Sequence, residues 1–304
     1  MNRQQTLQAP PASFAREVLA LIRPHQTVKN GFVFVGLIFA QRWQASALYA
    51  VGLTFLAFCA AASSAYVFND ILDLPSDRQH PVKCRRPIAR GAVSVAAAWR
   101  ISALLAAAGG TLALCAGARV LPIIAAYLLL NLTYSISLKH VVILDVFAIA
   151  AGFMLRILGG TVGVGIPPSK WLLLTGFMLA LFLGFAKRRA ELRVGEDGSS
   201  TVSTASRPVL GDYSPEVLDL FLGITAACTI LSYGLYTVSP ETIAAHHGSQ
   251  LFYSAPLVVY GIFRYVFLLH RRARGNDAAR DLLTDPHLVL VVVAWLALTI
   301  ALLA

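Results

Sequence analysis

Residues 46–77 read SALYAVGLTFLAFCAAASSAYVFNDILDLPSD, an apolar stretch that ends abruptly in a cluster of acids. Residues 46–68 carry no charged side chain, and they exceed the roughly 20 residues that a helix needs to cross a bilayer. Asn69 and Asp70 follow at once, at a depth where a carboxylate is costly and usually functional. The stretch therefore predicts a membrane-spanning helix with a polar site at one end.

Three aspartates, Asp70, Asp73 and Asp77, follow one another at spacings of three and four residues. A helix brings such positions onto one face, so they would form an acidic stripe about 10 Å long. Like charges this close are stabilised by a multivalent cation, and carboxylate oxygens suit Mg²⁺, which bridges them to substrate phosphates. The alternative is that these acids only solvate a loop.

A run of basic residues follows the acids directly: Arg78, His80, Lys83, Arg85, Arg86 and Arg90. Arginine offers forked donors that match phosphate oxygens. Taken alone, the run is also explained as an orientation signal of a membrane protein. Acids that hold a metal and bases that hold phosphate together predict a site for a diphosphate, to which Arg78, Lys83, Arg85 and Arg86 contribute phosphate contacts.

The composition predicts a polytopic membrane protein. The chain is 57% hydrophobic and only 13% charged, with a mean hydropathy of +0.69, whereas soluble domains are about 25% charged. Residues 1–15 lack the pattern of a cleaved signal, and we expect them to be disordered. The net charge of +10 is explained by membrane topology, so no nucleic-acid partner is expected.

Apolar runs predict an all-α protein with nine membrane spans, at about 28–41, 46–68, 95–117, 119–137, 141–163, 169–186, 216–237, 250–270 and 286–303. The first run is short alone. We expect it to extend back through the amphipathic segment 14–27, with Pro24 kinking the helix or marking its start.

The distribution of lysine and arginine orients these spans. All of the 25 basic residues except Arg42, Arg119, Arg156 and Lys170 fall on the side of the N-terminus and of loops 69–94, 138–140, 187–215 and 271–285. By the positive-inside rule this side is cytoplasmic. The aspartates would then face the cytoplasm.

A second polar motif follows the sixth predicted span. Lys187 and Glu191 are four residues apart, and Arg188 and Glu191 three, so these groups share a helix face. A basic cluster that merely anchors the helix end by snorkelling is the alternative for this motif alone.

The layout resembles the UbiA superfamily of membrane prenyltransferases, with an NDxxDxxxD motif after the second span and a polar motif after the sixth. The resemblance covers roughly residues 20–300. It implies one integral-membrane domain over 1–304, nine transmembrane helices around a central cavity that faces the cytoplasm, and 69–94 and 187–215 as active-site loops. It also assigns Asn69, Asp70, Asp73 and Asp77 to a first site that holds Mg²⁺ and diphosphate.

The second motif departs from the usual family pattern, in which another pair of acids binds a second Mg²⁺. Lys187 stands at the first acidic position, and a charged lysine pairs with phosphate but does not ligate Mg²⁺. The chain resembles instead the branch that transfers phosphoribose. The similar segments are residues 23–30, the NDxxDxxxD motif with Arg78, residues 83–87, residues 134–140 and residues 187–192.

This resemblance implies transfer of 5-phosphoribose from 5-phosphoribosyl 1-diphosphate to a polyprenyl (decaprenyl) phosphate, as in the biosynthesis of the cell-wall arabinose donor. The site would lie at the bacterial inner membrane, and a homo-oligomer is compatible with it. The acceptor phosphate attacks C1 of ribose and diphosphate leaves, so catalysis is positioning and electrostatics. The implied catalytic residues are Asp73, Lys187, Arg188 and Glu191.

Five further side chains are candidates for substrate binding: Lys29, Asn30, Tyr134, Lys139 and Arg156. Snorkelling explains Lys29 equally well, and Tyr134 fits an interfacial aromatic belt. Arg156 lies within the fifth predicted span, eleven residues after Asp145. Charges inside a membrane are functional candidates, although a buried structural partner is an equal alternative for both.

Two other functions compete with this prediction. One is a UbiA-type aromatic prenyltransferase that uses a prenyl diphosphate donor, as in quinone or haem pathways; the missing second acidic pair argues against it. The other is a transporter or channel with an acidic cation site, which would place its charges deep in the bilayer at broken helices.

Overall fold

The computed structural model describes residues 13–196, 208–246, 248–271, 281 and 284–303. These residues are predominantly helical, and no strand occurs among them. The α-helices in chain order are α1 Phe14–Ile22, α2 Val35–Ala40, α3 Ala45–Leu72, α4 Leu74–Gln79, α5 Val95–Ala116, α6 Val120–Ile136, α7 Leu144–Gly159, α8 Lys170–Glu196, α9 Pro215–Thr237, α10 Pro240–His246, α11 Ala255–Arg271 and α12 Pro286–Leu303. Between them lie the 3₁₀ helices Pro24–Phe34, Lys83–Arg85, Leu138–His140, Val162–Val164, Pro208–Asp212 and Gln250–Ser254.

Within the described ranges, seven helical segments are long and apolar enough to cross a membrane: Ala45–Leu72, Val95–Ala116, Leu144–Val164, Lys170–Arg193, Pro215–Thr237, Gln250–Arg271 and Pro286–Leu303. The fourth predicted span is the shorter apolar helix α6. The chain is thus an all-helical integral-membrane protein, as expected. The count of nine spans stays a prediction.

The first predicted span differs from one continuous α-helix. Helix α1 ends at Ile22, and Arg23 adopts a left-handed conformation with φ +51°. Pro24 then begins the 3₁₀ helix Pro24–Phe34, which passes into α2. Proline suits a first helical position because its missing N–H would be unpaired there anyway. Of the two alternatives for Pro24, it therefore marks a start.

Two predicted segment boundaries also change. Residues 1–12 of the segment expected to be disordered lie outside the described residues, while α1 already begins at Phe14. The sixth predicted span ends at residue 186, but α8 continues to Glu196. The second polar motif is therefore carried on a helix, and residues 197–207 lie outside the described ranges.

The bundle has two large apolar cores. One joins the first span to α3, α5 and α6 around Phe58, and the other joins α7, α8, α9 and α11 around Phe182. The first span meets α7 where a side chain would not fit: a Cβ at Gly160 would lie 1.8 Å from the carbonyl oxygen of Val33. Glycine at 160 allows this backbone contact.

Ion pairs bring the ends of many helices together at one end of the bundle. Lys139, between α6 and α7, contacts Asp73 at the end of α3. Arg188 of α8 contacts Asp145 at the start of α7, and Arg189 contacts Asp219 at the start of α9. We call this end the polar end. Both sequence motifs lie there.

Candidate functional site

The first acidic motif keeps its helical path through the junction of α3 and α4. Asp73 N–H donates to Asn69 O at 2.9 Å, and Asp77 N–H donates to Asp73 O at 2.8 Å. The spacing of four is thus helical on both sides of Asp73, although Pro75 follows it and supplies no N–H. Asp70 and Asp77 are each 2% exposed.

Arg86 lies between the two buried aspartates. Its Nη1 is 3.0 Å from Asp70 Oδ1 and 2.6 Å from Asp77 Oδ2. A single guanidinium atom reaches both carboxylates, so Asp70 and Asp77 share a face as the spacing predicts. Two buried like charges need such a partner, because an unpaired buried charge is strongly destabilising.

Arg23 is a second partner of Asp70, and the sequence analysis did not select it. Its Nη2 lies 2.6 Å from Asp70 Oδ1, and its guanidinium lies 5.3 Å from the ring centre of Tyr66. The sequence offered one signal that could have found it: Arg23 precedes Pro24 at the entry to the first span. Its distance of 47 residues from Asp70 hid the contact.

Asp73 has a separate set of partners. Lys139 Nζ lies 2.6 Å from its Oδ1, and Asn69 Nδ2 donates to its Oδ2 at 2.8 Å. Asn69 thereby orients the carboxylate, one of the functions that its place in the motif suggested. The three aspartates therefore face two groups of cations: Arg23 and Arg86 on one side, Lys139 on the other.

The side-chain oxygens of the first motif, which are carboxylate and amide oxygens, are ligands that suit a hard divalent metal ion. In the part of the chain that the structure describes, no group of three or more His, Cys, Asp or Glu side chains converges as a metal site. The aspartates contact cations instead. Metal binding would therefore exchange these cations for the metal ion.

The remaining basic residues of the first motif lie around this site at different depths. Arg78 and Arg85 are exposed, and Lys83 is half-buried. His80 Nδ1 accepts the N–H groups of Val82 and Lys83 at 3.1 and 3.2 Å. Burial, followed by the charge of Lys83, lowers the pKa of His80. The neutral ring thus holds the turn that carries Lys83.

The second motif is centred on a fully buried arginine. Arg188 Nε lies 2.5 Å from Asp145 Oδ2, its Nη1 lies 2.6 Å from Glu191 Oε2, and its Nη2 lies 3.4 Å from Tyr134 Oη. Its side chain is 0% exposed, whereas Lys187 beside it is half-buried. Because the guanidinium is fully buried and pairs with two carboxylates, this geometry favours a structural role for Arg188 over direct contact with phosphate.

Asp145 is held from its other side by a tyrosine that the sequence analysis missed. Tyr213 donates its hydroxyl proton to Asp145 Oδ1 at 2.9 Å and accepts the N–H of Ile143 at 2.7 Å. No local pattern marks Tyr213, which lies 68 residues from Asp145. The contact exists only once the 3₁₀ helix Pro208–Asp212, which precedes Tyr213, packs beside the 3₁₀ helix Leu138–His140 that precedes the turn.

Ile143 has an unusual backbone conformation, with φ +69° and ψ −48°. Leu144 N–H donates to Val142 O at 2.8 Å, which closes a three-residue γ-turn. Turns of this positive-φ type are rare and strained, especially at a β-branched residue. Such strain costs on the order of 1–3 kcal/mol and persists where surrounding groups hold it.

Arg156 lies in a different layer, away from Asp145. Its Nε donates to Asn30 Oδ1 at 2.7 Å and its Nη2 to Tyr127 Oη at 2.8 Å, while its guanidinium lies 5.4 Å from the ring centre of Phe153. Among the described residues no carboxylate is within ion-pair distance of it. Of the two alternatives for Asp145 and Arg156, a buried structural partner is found for each: Arg188 for Asp145, and Asn30 and Tyr127 for Arg156. The functional alternative stays a prediction.

The residues beside this layer are tied into the first span. Asn30 is fully buried, and its Nδ2 donates to Cys59 Sγ at 3.3 Å. Lys29 donates to Gln26 one turn earlier and is half-buried. Asn30 and Arg156 therefore join the first span to α3, α6 and α7, and their predicted roles in substrate binding stay predictions.

Comparisons with known proteins agree with this arrangement. The UbiA prenyltransferase family matches residues 31–284. A decaprenyl-phosphate phosphoribosyltransferase of Mycolicibacterium smegmatis is 30% identical over 96% of this chain and 94% of its own length. One from Corynebacterium glutamicum is 31% identical over 94% of this chain and 86% of its own length.

Solved structures show the same fold. A UbiA homolog from Archaeoglobus fulgidus bound to GPP and Mg²⁺ superposes with a TM-score of 0.72 at 18% identity, covering 94% of this chain and 99% of that one. The family match and the named relatives confirm the expected resemblance and its phosphoribosyltransferase branch, and the solved structures confirm the fold.

Proposed function

Because the chain belongs to the UbiA prenyltransferase family, we propose that it transfers 5-phosphoribose from 5-phosphoribosyl 1-diphosphate to a membrane polyprenyl phosphate. Relatives that match most of its length are named decaprenyl-phosphate phosphoribosyltransferases. The enzyme is a transferase of the membrane. The products are polyprenylphosphoryl 5-phosphoribose and diphosphate, and decaprenyl phosphate is the acceptor that the relatives' names supply.

The observation that carries the proposal is the pairing of three aspartates with three cations at one helix end. Arg23 and Arg86 contact Asp70, Arg86 contacts Asp77, and Lys139 contacts Asp73. If these carboxylates held a metal ion, Arg23, Arg86 and Lys139 would be available to phosphate oxygens. The site can therefore bind a metal diphosphate by exchanging partners, without burying unpaired charge.

In the reaction, an oxygen of the polyprenyl phosphate forms a bond to C1 of ribose as the bond from C1 to diphosphate breaks. Asp70, Asp73 and Asp77 would hold Mg²⁺, which supplies neutralisation of the leaving group. Arg23, Arg86 and Lys139 bind diphosphate oxygens, and exposed Arg78 and Arg85 with Lys83 extend this basic surface. The acceptor phosphate is already anionic, so no strong general base is required.

The second motif binds a phosphate group other than the leaving diphosphate. Lys187, half-buried on α8, is placed to pair with the ribose 5-phosphate or the acceptor phosphate as a point charge. Arg188 keeps Glu191 and Asp145 in place, and Glu191 would accept ribose hydroxyls while it keeps its contact with Arg188. This assignment follows from the enclosure of Arg188 by two carboxylates.

We place the polar end at the cytoplasmic face of a bacterial inner membrane, in a single domain over 1–304. The support is the excess of basic residues on that side and the solubility of the phosphorylated donor. A homo-oligomer is compatible with this placement. The cell-wall arabinose donor pathway remains the pathway that the resemblance implies.

A labelled-donor assay tests the function. The protein in nanodiscs is incubated with radiolabelled 5-phosphoribosyl 1-diphosphate, decaprenyl phosphate and Mg²⁺, and the lipid extract is analysed. Label in a lipid product is expected, with a drop of about 100-fold or more in kcat for Asp73→Asn, since transition-state charge loses its partner. No lipid-linked ribose, together with turnover of geranyl diphosphate and an aromatic acid, would establish the prenyltransferase alternative.

A further inference from the structure

The strained turn at Ile143 stands between the two motifs of the polar end. Four residues before it, Lys139 contacts Asp73 of the first motif. Two residues after it, Asp145 contacts Arg188 of the second motif. Any relaxation of the turn would shift Lys139 and Asp145 together, so its conformation sets the geometry of both motifs.

Besides the backbone hydrogen bonds of this turn, one side-chain hydroxyl contacts it at two points. Tyr213 Oη accepts the N–H of Ile143 at 2.7 Å and donates to Asp145 Oδ1 at 2.9 Å. The tyrosine is 6% exposed and belongs to the core around Phe182. Burial raises the pKa of Tyr213 above its usual range, so the proton that it donates is retained at neutral pH.

We propose that the Tyr213 hydroxyl is a positioning group for phosphoribosyl transfer, which acts by holding the Ile143 turn and through it Lys139 and Asp145. The proposal rests on the proposed function. Tyr213 contacts neither the acidic motif nor Lys187 in this arrangement, and its effect passes through the turn. It is therefore distinct from the residues that bind substrate.

A purely structural tyrosine would behave differently from a positioning one. The Tyr213→Phe variant removes the hydroxyl alone and leaves the ring in its core. The Ile143→Gly variant removes the backbone strain of the turn, because glycine adopts positive φ without a Cβ penalty. If Tyr213 acts by restraining strain, glycine at 143 reduces the need for its hydroxyl.

The experiment measures kcat and KM for 5-phosphoribosyl 1-diphosphate in Tyr213→Phe, Ile143→Gly and the double variant. Tyr233→Phe is the matched control, since Tyr233 is also buried and its hydroxyl contacts Ser254 and Trp295 in a separate core. Misplaced catalytic groups reduce rates by up to about 100-fold. We therefore expect kcat of Tyr213→Phe to fall about 10- to 100-fold, with KM changed less than about threefold.

The rescue decides between the two roles. Ile143→Gly should restore kcat of Tyr213→Phe to within about threefold of the Ile143→Gly single variant, a margin of under 1 kcal/mol in barrier height at 1.36 kcal/mol per decade. Tyr233→Phe should lower the thermal midpoint with kcat within about twofold of wild type, since it removes a hydrogen bond outside the site. Equal losses of kcat in both phenylalanine variants, or no rescue, would overturn the proposal.

Thermal unfolding of wild type, Tyr213→Phe, Ile143→Gly and the double variant separates this proposal from the proposed function. Ile143→Gly should raise the midpoint of Tyr213→Phe more than that of wild type, whatever reaction the enzyme catalyses. A wild type without phosphoribosyl transfer would reject the proposed function alone. Equal midpoint shifts in the two backgrounds would reject the link between Tyr213 and the turn.

Discussion

Lys139 Nζ lies 2.6 Å from Asp73 Oδ1, which joins the connection between α6 and α7 to the end of α3 across 66 residues of sequence. The two side chains are 19% and 26% exposed, whereas the pairs of Arg86 have a buried acid, since Asp70 and Asp77 are each 2% exposed. A partly hydrated pair gains little from its own attraction. It can therefore be exchanged for a metal on one side and a phosphate on the other.

Removing Lys139 should separate these two exchanges. In Lys139→Met the diphosphate loses a charge-assisted contact worth about 1.5–3 kcal/mol, so kcat/KM for the donor should fall about 10- to 100-fold. Asp73 loses a competing cation, so half-maximal activity should need less Mg²⁺. A Mg²⁺ titration of activity checks both. Arg100→Met, which alters an exposed arginine on α5, should match wild type; an unchanged Lys139→Met would remove Lys139 from the site.

Arg23 should contribute to donor binding although no motif contains it. Arg23→Gln removes the 2.6 Å contact with Asp70, and we expect KM for the donor to rise about tenfold, the value of one charged hydrogen bond. Arg16→Gln on the exposed side of α1 is the control. Equal KM values for these two variants would show that Arg23 only neutralises the charge of Asp70 and does not bind the donor.

The Asp145–Arg188 pair should dominate the stability of the second motif. Arg188→Met leaves Asp145 buried without its cation, which costs about 3–5 kcal/mol. The neighbouring pair of Arg189 and Asp219 is more exposed, so Arg189→Met should cost about 1 kcal/mol or less. Thermal unfolding in detergent gives the comparison. Similar midpoints for the two variants would show that Arg188 does not have the structural role described above.

Asp285 should make stability depend on pH in the acid range. It pairs with Arg264 at 2.9 Å and accepts the N–H of Leu288 at the start of α12. Hydrogen bonding from Arg264 lowers its pKa from 3.8 to about 2. A lowered pKa stabilises the fold above the unfolded value, and this contribution is lost as the pH falls toward the folded value.

The Asp285→Asn variant isolates that charge, because asparagine still serves as an N-cap. Its midpoint should be lower than that of wild type at pH 7, and the difference should shrink between about pH 4 and pH 2. Midpoints measured against pH for both proteins provide the test. A difference that stays constant down to pH 2 would assign the stabilisation to packing.

Apolar runs and the acidic spacing were enough to predict the helical bundle and the shared face of Asp70 and Asp77, since both depend on local periodicity. The end of α8 was predicted too early because a hydropathy scan stops at charged residues. Lysine, arginine and glutamate are good helix formers, so the helix continues to Glu196. The hydropathy of the sequence thus predicts where the apolar run ends, whereas helix propensity predicts where the helix itself ends.

The partners of the site were beyond sequence reasoning because they come from tertiary packing. The sequence left the partner of Asp145 unnamed, and the structure supplies it as Arg188 on the next helix. Tyr213 and Arg23 likewise contact residues that no local pattern connects to them. The motifs predicted which acids form the site, whereas tertiary packing determines which cation each acid contacts.

The 3₁₀ conformation of the first span changes how far a short segment can reach. Its 11 residues rise about 2.0 Å each, and the 6 residues of α2 rise about 1.5 Å each. These elements extend to about 31 Å, close to the roughly 30 Å of a bilayer's hydrocarbon core. An α-helix of the same residues would reach only about 26 Å. The 3₁₀ winding thus gives the predicted first span, Pro24–Ala40, the length of the hydrocarbon core with fewer residues than an α-helix would need.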